Sequence, residues 1–193
     1  YEVQTVLAAT DWFRQQHGPN AKVGICGFAE GGLIAFYAAA LDERFEAALV
    51  SGYFDSRQAV WSEPIYRNVW SLVREFGDAE LASLILPRSL IVEHSAGPTI
   101  VGHKGDWHTP EFVGVAAEVN RIDTGPTFGK PALLHGEQGK PIGPFSNSAL
   151  TLFAGRLGVE KLNAGSKELP EDRRAKFDPA TRHSEIVQQM ENH

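Results

Sequence analysis

The feature that most constrains this chain is the alternation of short apolar segments with longer helical ones. Each short segment is too brief for a stable helix and is bounded by turn residues, which is typical of a buried strand. The predicted strands are residues 22–27, 45–53, 89–93 and 131–135. The predicted helices are residues 1–16, 31–41, 64–76, 79–84, 110–121 and 147–157.

Strands that alternate with helices favour one fold class. Joined by short connections and right-handed crossovers, they form a mostly parallel sheet with helices on both faces, which is an α/β architecture. The length of 193 residues and the 42% hydrophobic content suit one compact core. We therefore predict one α/β domain over residues 1–158. Residues 159–193 are charged and poor in large apolar side chains, which indicates a linker or docking tail with a short helix near 184–190.

Charge and composition argue against several classes of partner. The formal net charge is −6, and no cluster of basic residues could neutralise a nucleic-acid backbone. No apolar run approaches the roughly 20 residues that span a bilayer, so we expect no membrane segment. The single cysteine, Cys26, is expected in the core and forms no disulfide within the chain, which favours a cytoplasmic setting. We expect no metal and no cofactor.

A glycine-rich turn joins the first predicted strand to the next helix. It reads Gly27-Phe28-Ala29-Glu30-Gly31-Gly32, and residues 27–32 are called the Ala29 turn below. A tight turn from strand to helix strains the central residue, so the residues two positions away, Gly27 and Gly31, must be very small. The backbone N–H of Glu30 would point towards the same spot as the helix N-terminus.

Residues 23–32 resemble the nucleophile elbow of the α/β-hydrolase superfamily, in the form found in dienelactone hydrolases and acetyl xylan esterases. A second stretch, residues 84–92, is similar to the segment that leads into the acid-bearing strand of those enzymes. The resemblance covers residues 1–158 and implies the last four strands of that fold. It also implies that the Glu30 N–H belongs to the oxyanion hole.

The nucleophile position departs from that family, because Ala29 has no hydroxyl, thiol or carboxylate. Acyl transfer through this side chain is chemically excluded. Three explanations remain open: a natural non-catalytic relative, an ester hydrolase inactivated by Ser→Ala replacement, or a chance turn in another α/β fold. By the family order of nucleophile, acid and histidine, the acid would be Asp55 or Glu93 and the histidine His135. Each also has a simpler interpretation, as a solvated carboxylate or an ordinary histidine at a strand end.

Two other groups of side chains have competing interpretations. The first group lies in and beside a polar stretch over residues 95–109. It suggests either a metal site or a mobile surface insertion, and we favour the insertion. Its members are His94, His103, Asp106 and His108. The second group suggests either the lining of a pocket or a helix packed on the sheet, and we favour the helix. Its members are Arg57, Trp61, Tyr66, Arg67, Trp70 and Phe76.

The sequence therefore predicts a non-catalytic α/β-hydrolase-like domain with a binding or scaffolding role. A sheet that begins at the strand before the Ala29 turn would expose an apolar edge. We expect the remainder of a longer chain, or a partner subunit, to complete that sheet. A small ester-like or carbohydrate ligand is the expected small-molecule partner.

Overall fold

The structure, a computed structural model, describes residues 1–102, 104–126, 129–162 and 177–192. The chain divides into two units, residues 1–162 and 163–193. Among the described residues, no helix is long and apolar enough to cross a membrane.

The first unit is built on a four-stranded sheet whose strands are all parallel and neighbour one another in chain order. The strands are β1 (Val23–Phe28), β2 (Phe45–Ser51), β3 (Ser89–Glu93) and β4 (Ala132–Leu134). The helices of this unit are α1 (Glu2–His17), α2 (Glu30–Leu41), α3 (Leu72–Glu75), α4 (Asp78–Ile85), α5 (Phe112–Arg121) and α6 (Asn147–Arg156). This arrangement confirms the predicted α/β class.

The core has two layers because successive strand residues point to opposite faces of the sheet. Val50 and Val92 lie in the larger cluster, which also contains buried residues of α2, α4 and α5. Leu49 and Ile91 face the other way and pack against Ala149 of α6. Helices therefore cover both faces, as the sequence predicts.

The prediction of a helix over residues 64–76 is wrong. This segment contains two short 3₁₀ turns, at Arg57–Ser62 and Ile65–Arg67, and the single-turn helix α3. Ser71 adopts a left-handed backbone with φ 62°, which interrupts any longer helix. Ile65 and Trp70 are 81% and 94% exposed, so these two apolar residues of the predicted helix do not face the sheet.

The expectation that Cys26 is a core residue, on a strand buried on both faces, is also wrong. β1 is an edge strand, and Cys26 is exposed on it. An open groove of about 610 Å³ runs beside this edge and is lined by apolar side chains of α1, β1 and α2, including Phe13, Ile25 and Ile34. The sheet thus begins at β1, as the sequence predicts, whereas the exposure of Cys26 on that strand did not follow from its apolar pattern.

The second unit is described only by its helix α7 (Pro179–Glu191), since the predicted tail residues 163–176 lie outside the described part of the chain. The helix is longer than the predicted 184–190. The Asp178 carboxylate accepts a hydrogen bond from Ala180 N, and proline occupies the first turn, two features that favour a helix start. No residue of α7 is buried. The role of residues 159–193 as a linker or docking arm stays a prediction.

Candidate functional site

The Ala29 turn has the strained backbone that the sequence predicts. Ala29 lies between the end of β1 and the first residue of α2, with φ 55° and ψ −115°. Its N–H donates to the Ser51 carbonyl at 2.9 Å, which ties the turn to the end of β2. A positive φ is costly for a residue with a Cβ, so the surrounding contacts must enforce it. Ala29 is only 6% exposed, and its side chain is a methyl group.

The glycines of the turn differ in how strongly their positions exclude a side chain. A Cβ at Gly27 would lie 1.8 Å from the Gly31 carbonyl oxygen, so only glycine fits there. A Cβ at Gly32 would lie 3.0 Å from the Ser51 carbonyl oxygen, which is also tight. A Cβ at Gly31 would meet nothing within 4 Å. The expected steric need for glycine at position 31 is therefore wrong, because the tight approach is made by its carbonyl and not by its Cα.

Glu93, one of the two predicted acids, is a fully enclosed carboxylate with four hydrogen bonds. Its oxygens accept from Ser51 Oγ at 2.6 Å, Phe145 N at 2.8 Å, Ser146 N at 2.9 Å and Ser146 Oγ at 2.6 Å. The side chain is 1% exposed, so it is not the solvated charge of the simpler interpretation. Its contacts join the ends of β2 and β3 to the segment before α6.

His135 directly follows β4 and is exposed to solvent. Its Nδ1 lies 2.7 Å from the carbonyl oxygen of the next residue, Gly136, and its ring packs against Phe112 at 4.4 Å between centroids. Within the described part of the chain, no carboxylate hydrogen-bonds to this imidazole. The structure thus places Glu93 and His135 on adjacent strand ends without joining them.

Asp55, the other predicted acid, follows β2 and lies against α4 and α5. Its backbone N–H donates to Asp78 Oδ2 at 3.1 Å, and its Oδ1 would lie 2.8 Å from a Cβ at Gly114. Burial raises the pKa of Asp55, and it raises the pKa of the fully buried Asp78 to about 7. Arg57 opposes that second shift, because its guanidinium lies 3.2 Å from Asp78 Oδ2.

Glu30 anchors the segment that follows β2 to the Ala29 turn. Its Oε1 accepts hydrogen bonds from Tyr66 Oη at 2.9 Å and Arg67 Nη1 at 3.1 Å. The Arg67 side chain is 1% exposed, lies 4.1 Å from the Trp107 ring centroid and pairs with Glu63 at 2.8 Å. The sequence analysis assigned the Glu30 backbone N–H to an oxyanion hole but did not predict these contacts of its carboxylate, and it missed Glu63 and Asp78 entirely.

The histidines that suggested a metal site do not share one environment. His94 is buried next to Glu93, with its Nε2 2.9 Å from the Pro110 carbonyl oxygen, whereas His108 is exposed. His103 lies outside the described residues. Among the residues that are described, no cluster of three potential metal ligands occurs. Residues 96–102 and 104–106 lie largely on the surface, but Trp107 is buried and pairs with Ile100, which fastens the predicted insertion to the domain.

Comparison with known proteins finds no matching family model and no matching curated protein. Solved structures do match. One glucuronoyl esterase structure from Solibacter usitatus aligns at 15% identity with a TM-score of 0.53, covering 80% of this chain and 47% of that one. A second structure of a glucuronoyl esterase from Solibacter usitatus gives 16% identity, a TM-score of 0.52 and the same coverages. The chain has part of an α/β-hydrolase fold. It spans about half the length of the structures that it matches.

In an open α/β sheet of this kind, ligands bind beyond the carboxyl ends of the strands. The α/β-hydrolase fold of this chain brings four residues to the carboxyl end of the sheet, one at or just beyond the end of each strand. They are Ala29, Ser51, Glu93 and His135. The predicted site residues Ala29, Glu93 and His135 therefore share the carboxyl end of the sheet, and their role in a site stays a prediction. The sequence pattern held no signal for the ion pairs of Arg57 with Asp78 and of Arg67 with Glu30, because these partners lie on separate elements.

Proposed function

We propose that this chain is a non-catalytic α/β-hydrolase-like domain with a binding or scaffolding role in a longer protein. The observation that carries the proposal is the Ala29 turn, which has the backbone strain of a reactive centre but presents only a methyl group. No proton can be removed from that methyl group at neutral pH, and no acyl group can be transferred to it.

The two other positions of the expected triad support the same proposal. All of the Glu93 hydrogen bonds go to groups that hold the fold together. A triad acid must instead accept from the imidazole N–H to fix its tautomer and stabilise its charged form. His135 has a backbone carbonyl as its hydrogen-bond partner, so it lacks that support.

The unpaired edge of β1 supports the proposal that this domain binds a partner. An open apolar strand edge offers unpaired N–H and carbonyl groups, and proteins normally pair or cover such an edge. We infer that a further strand, supplied by a longer chain or a partner subunit, pairs with β1 and covers the groove beside Ile25 and Ile34. A cytoplasmic setting is part of this proposal and is supported by the single unpaired cysteine.

The second candidate is a carboxylic ester hydrolase whose serine has been replaced by Ala29. The fold match to glucuronoyl esterases favours it. In that enzyme, His135 would act as the base, Asp55 or Glu93 would orient it, and the Glu30 N–H would stabilise the oxyanion. A small ester or a carbohydrate ester would be its ligand.

The substitution Ala29→Ser separates the two candidates. We expect the purified variant to hydrolyse p-nitrophenyl acetate and a methyl ester of glucuronic acid no faster than the unsubstituted protein, with an unchanged circular dichroism spectrum. Serine-dependent turnover that disappears in the double variant Ala29→Ser/His135→Ala would reject the non-catalytic proposal and establish the esterase. Turnover that survives the second substitution would be background hydrolysis.

A further inference from the structure

A small polar cavity lies at the amino ends of β3 and β4, at the opposite end of the sheet from Ala29. Its volume is about 280 Å³, near the lower end of the range for small-molecule sites. We call it the basic cavity, because its lining includes Arg88, Lys130 and Arg156, together with Ser89. Arg88 follows α4, Lys130 follows α5 and Arg156 ends α6, so only the fold brings the three cations together.

The basic cavity has a local excess of positive charge. Among its described lining residues, three are cationic and none is acidic. None of the three cations forms an ion pair within the described part of the chain. The whole chain has a formal net charge of −6, so this excess runs against its overall balance. Because like charges repel one another, a bound anion would stabilise the arrangement.

Two carboxylates that do not line the cavity lie near Arg88, those of Glu43 and Asp42. Arg44 already binds both oxygens of the Asp42 carboxylate, at 3.0 and 2.9 Å from its Nε. Glu43 is exposed, so water screens its charge. Burial lowers the pKa of Arg88, although Glu43 and Asp42 oppose that shift. These carboxylates therefore do not compensate for the burial of the guanidinium group.

Backbone carbonyls hold the Arg88 guanidinium in place. Its Nη1 donates to the carbonyl oxygens of Asp42 and Phe45 at 3.0 and 3.1 Å. Its Nη2 donates to the Leu84 carbonyl oxygen at 3.0 Å. The Nε N–H and the second Nη2 N–H have no acceptor among the described residues, and such a pair is the fork that binds two oxygens of one phosphate. A side chain that is already fixed loses little freedom when it binds a ligand.

Each cation also serves the end of a helix, but this role uses only part of its charge. Lys130 Nζ donates to the Asn120 carbonyl oxygen in the last turn of α5, as Arg88 does to Leu84 in α4. Arg156, at the end of α6, has no hydrogen bond or ion pair with any described residue. A helix end carries roughly half a negative elementary charge, so the three ends offset only about half of the cationic charge.

We propose that the basic cavity binds a phosphate dianion, either as the free ion or as the phosphate group of a small ester. The Arg88 fork binds two of its oxygens, and Lys130 and Arg156 supply N–H donors to the remaining lone pairs. Donors on three separate side chains suit the three oxygens of a phosphate group better than the two of a carboxylate. The site lies at the other end of the sheet from Ala29, so it is independent of the function proposed above.

The test is isothermal titration calorimetry of the purified protein with phenyl phosphate, at about pH 8, where a phosphate monoester is a dianion. Benzoate is the matched carboxylate, because it presents the same ring with a single negative charge. We expect phenyl phosphate to bind about tenfold or more tightly than benzoate, because it accepts more charge-assisted hydrogen bonds. A higher salt concentration should weaken its binding.

Arg156→Gln and Lys130→Gln should each weaken phenyl phosphate binding by about tenfold, because each removes one charged donor. Both side chains are exposed, so the circular dichroism spectrum of each variant should be unchanged. Arg74→Gln is the matched control and should leave the affinity unchanged, because the Arg74 side chain is 82% exposed and does not line the cavity.

Inorganic phosphate, titrated in the same way, identifies the source of the phosphate group. Tighter binding of inorganic phosphate would identify the free ion as the occupant, tighter binding of phenyl phosphate would identify a small ester, and either result supports the site. The proposal would be overturned if neither phosphate bound, if phenyl phosphate and benzoate bound equally, or if Arg156→Gln and Lys130→Gln left binding intact. The three cations would then serve only the helix ends.

Discussion

At the scale of single residues, Glu93 shows how a buried carboxylate can hold a fold together. Its carboxylate accepts four hydrogen bonds in a site that is closed to water. A buried carboxylate is stable only when its oxygens are satisfied in this way. The sequence Glu93-His94-Ser95 gives no indication of these partners, because Ser146 lies far along the chain.

We predict that Glu93→Gln lowers the free energy of unfolding by about 3 kcal/mol, because an amide N–H₂ would then face N–H and O–H donors. Urea unfolding followed by circular dichroism measures the change. The exposed Glu137 provides a matched control, and Glu137→Gln should shift stability by less than about 0.5 kcal/mol. Equal effects of the two substitutions would contradict the role assigned to Glu93.

The glycines of the Ala29 turn give a second prediction at this scale. Gly27→Ala should destabilise the protein by about 3 kcal/mol or more, because the new methyl group would lie 1.8 Å from the Gly31 carbonyl oxygen. Gly31→Ala should be neutral or stabilise by up to about 1 kcal/mol, because its site is open and alanine favours helix. The pair is compared by thermal unfolding. If Gly31→Ala were as damaging as Gly27→Ala, the geometry of the turn would be different.

At the scale of elements, β1 is the strand whose environment the sequence misrepresents. Its apolar residues are typical of an interior strand, but its only sheet partner in the described structure is β2. The backbone N–H and carbonyl groups that would pair with its other edge belong to the proposed partner strand. The apolar pattern therefore predicted the strand and its open edge, but not the exposure of the Cys26 side chain.

The accessibility of Cys26 tests this edge. We expect the Cys26 thiol to react with a maleimide reagent under native conditions, without prior unfolding, because it is exposed on the edge strand. Partial burial raises the pKa of the thiol, so its reaction should be slower than that of a small free thiol at neutral pH. Mass spectrometry follows the modification with time. Labelling that requires urea would show that Cys26 lies inside the protein.

The segment between β2 and α4 is the other element that pattern misassigned. Its aromatic spacing matches a helix, whereas its structure is set by Arg57 and Arg67, which turn inwards to meet Asp78, Glu63 and Glu30. The aromatic side chains then remain on the outside. Helical periodicity indicates where apolar side chains are buried, but it cannot indicate where charged groups are buried in ion pairs.

At the scale of the whole molecule, buried carboxyl groups should make stability depend on pH. The pKa of Asp78 is raised from 3.8 to about 7 by burial, and burial also raises the pKa of Asp55. Between about pH 4 and pH 7 the folded protein therefore retains protons that the unfolded chain has released. The free energy of unfolding should decrease as the pH rises through this window.

Asp78→Asn tests this dependence, because an amide of similar shape does not titrate. We expect the variant to lose much of the decline in stability between about pH 4 and pH 7 that the unsubstituted protein shows. The exposed Glu75 serves as a control, and Glu75→Gln should leave the slope unchanged. Urea midpoints measured across the pH range provide the comparison. A slope that is the same in the Asp78→Asn variant would show that Asp78 is ionised throughout.

The sequence by itself determined the order of strands and helices, the parallel sheet and the strained turn at Ala29. Each of these follows from local hydrophobic pattern and from the steric limits of the backbone, which act over a few residues. The absence of a nucleophile at Ala29 is likewise a property of one residue.

Only the tertiary structure decided which side chains meet. It enclosed Glu93 with Ser51 and Ser146, directed Arg57 and Arg67 inwards, and left Cys26 and Trp61 exposed. These outcomes depend on contacts between residues that are distant in the chain. No local pattern encodes such contacts, because the burial and pairing of a side chain depend on which distant residues the fold places next to it.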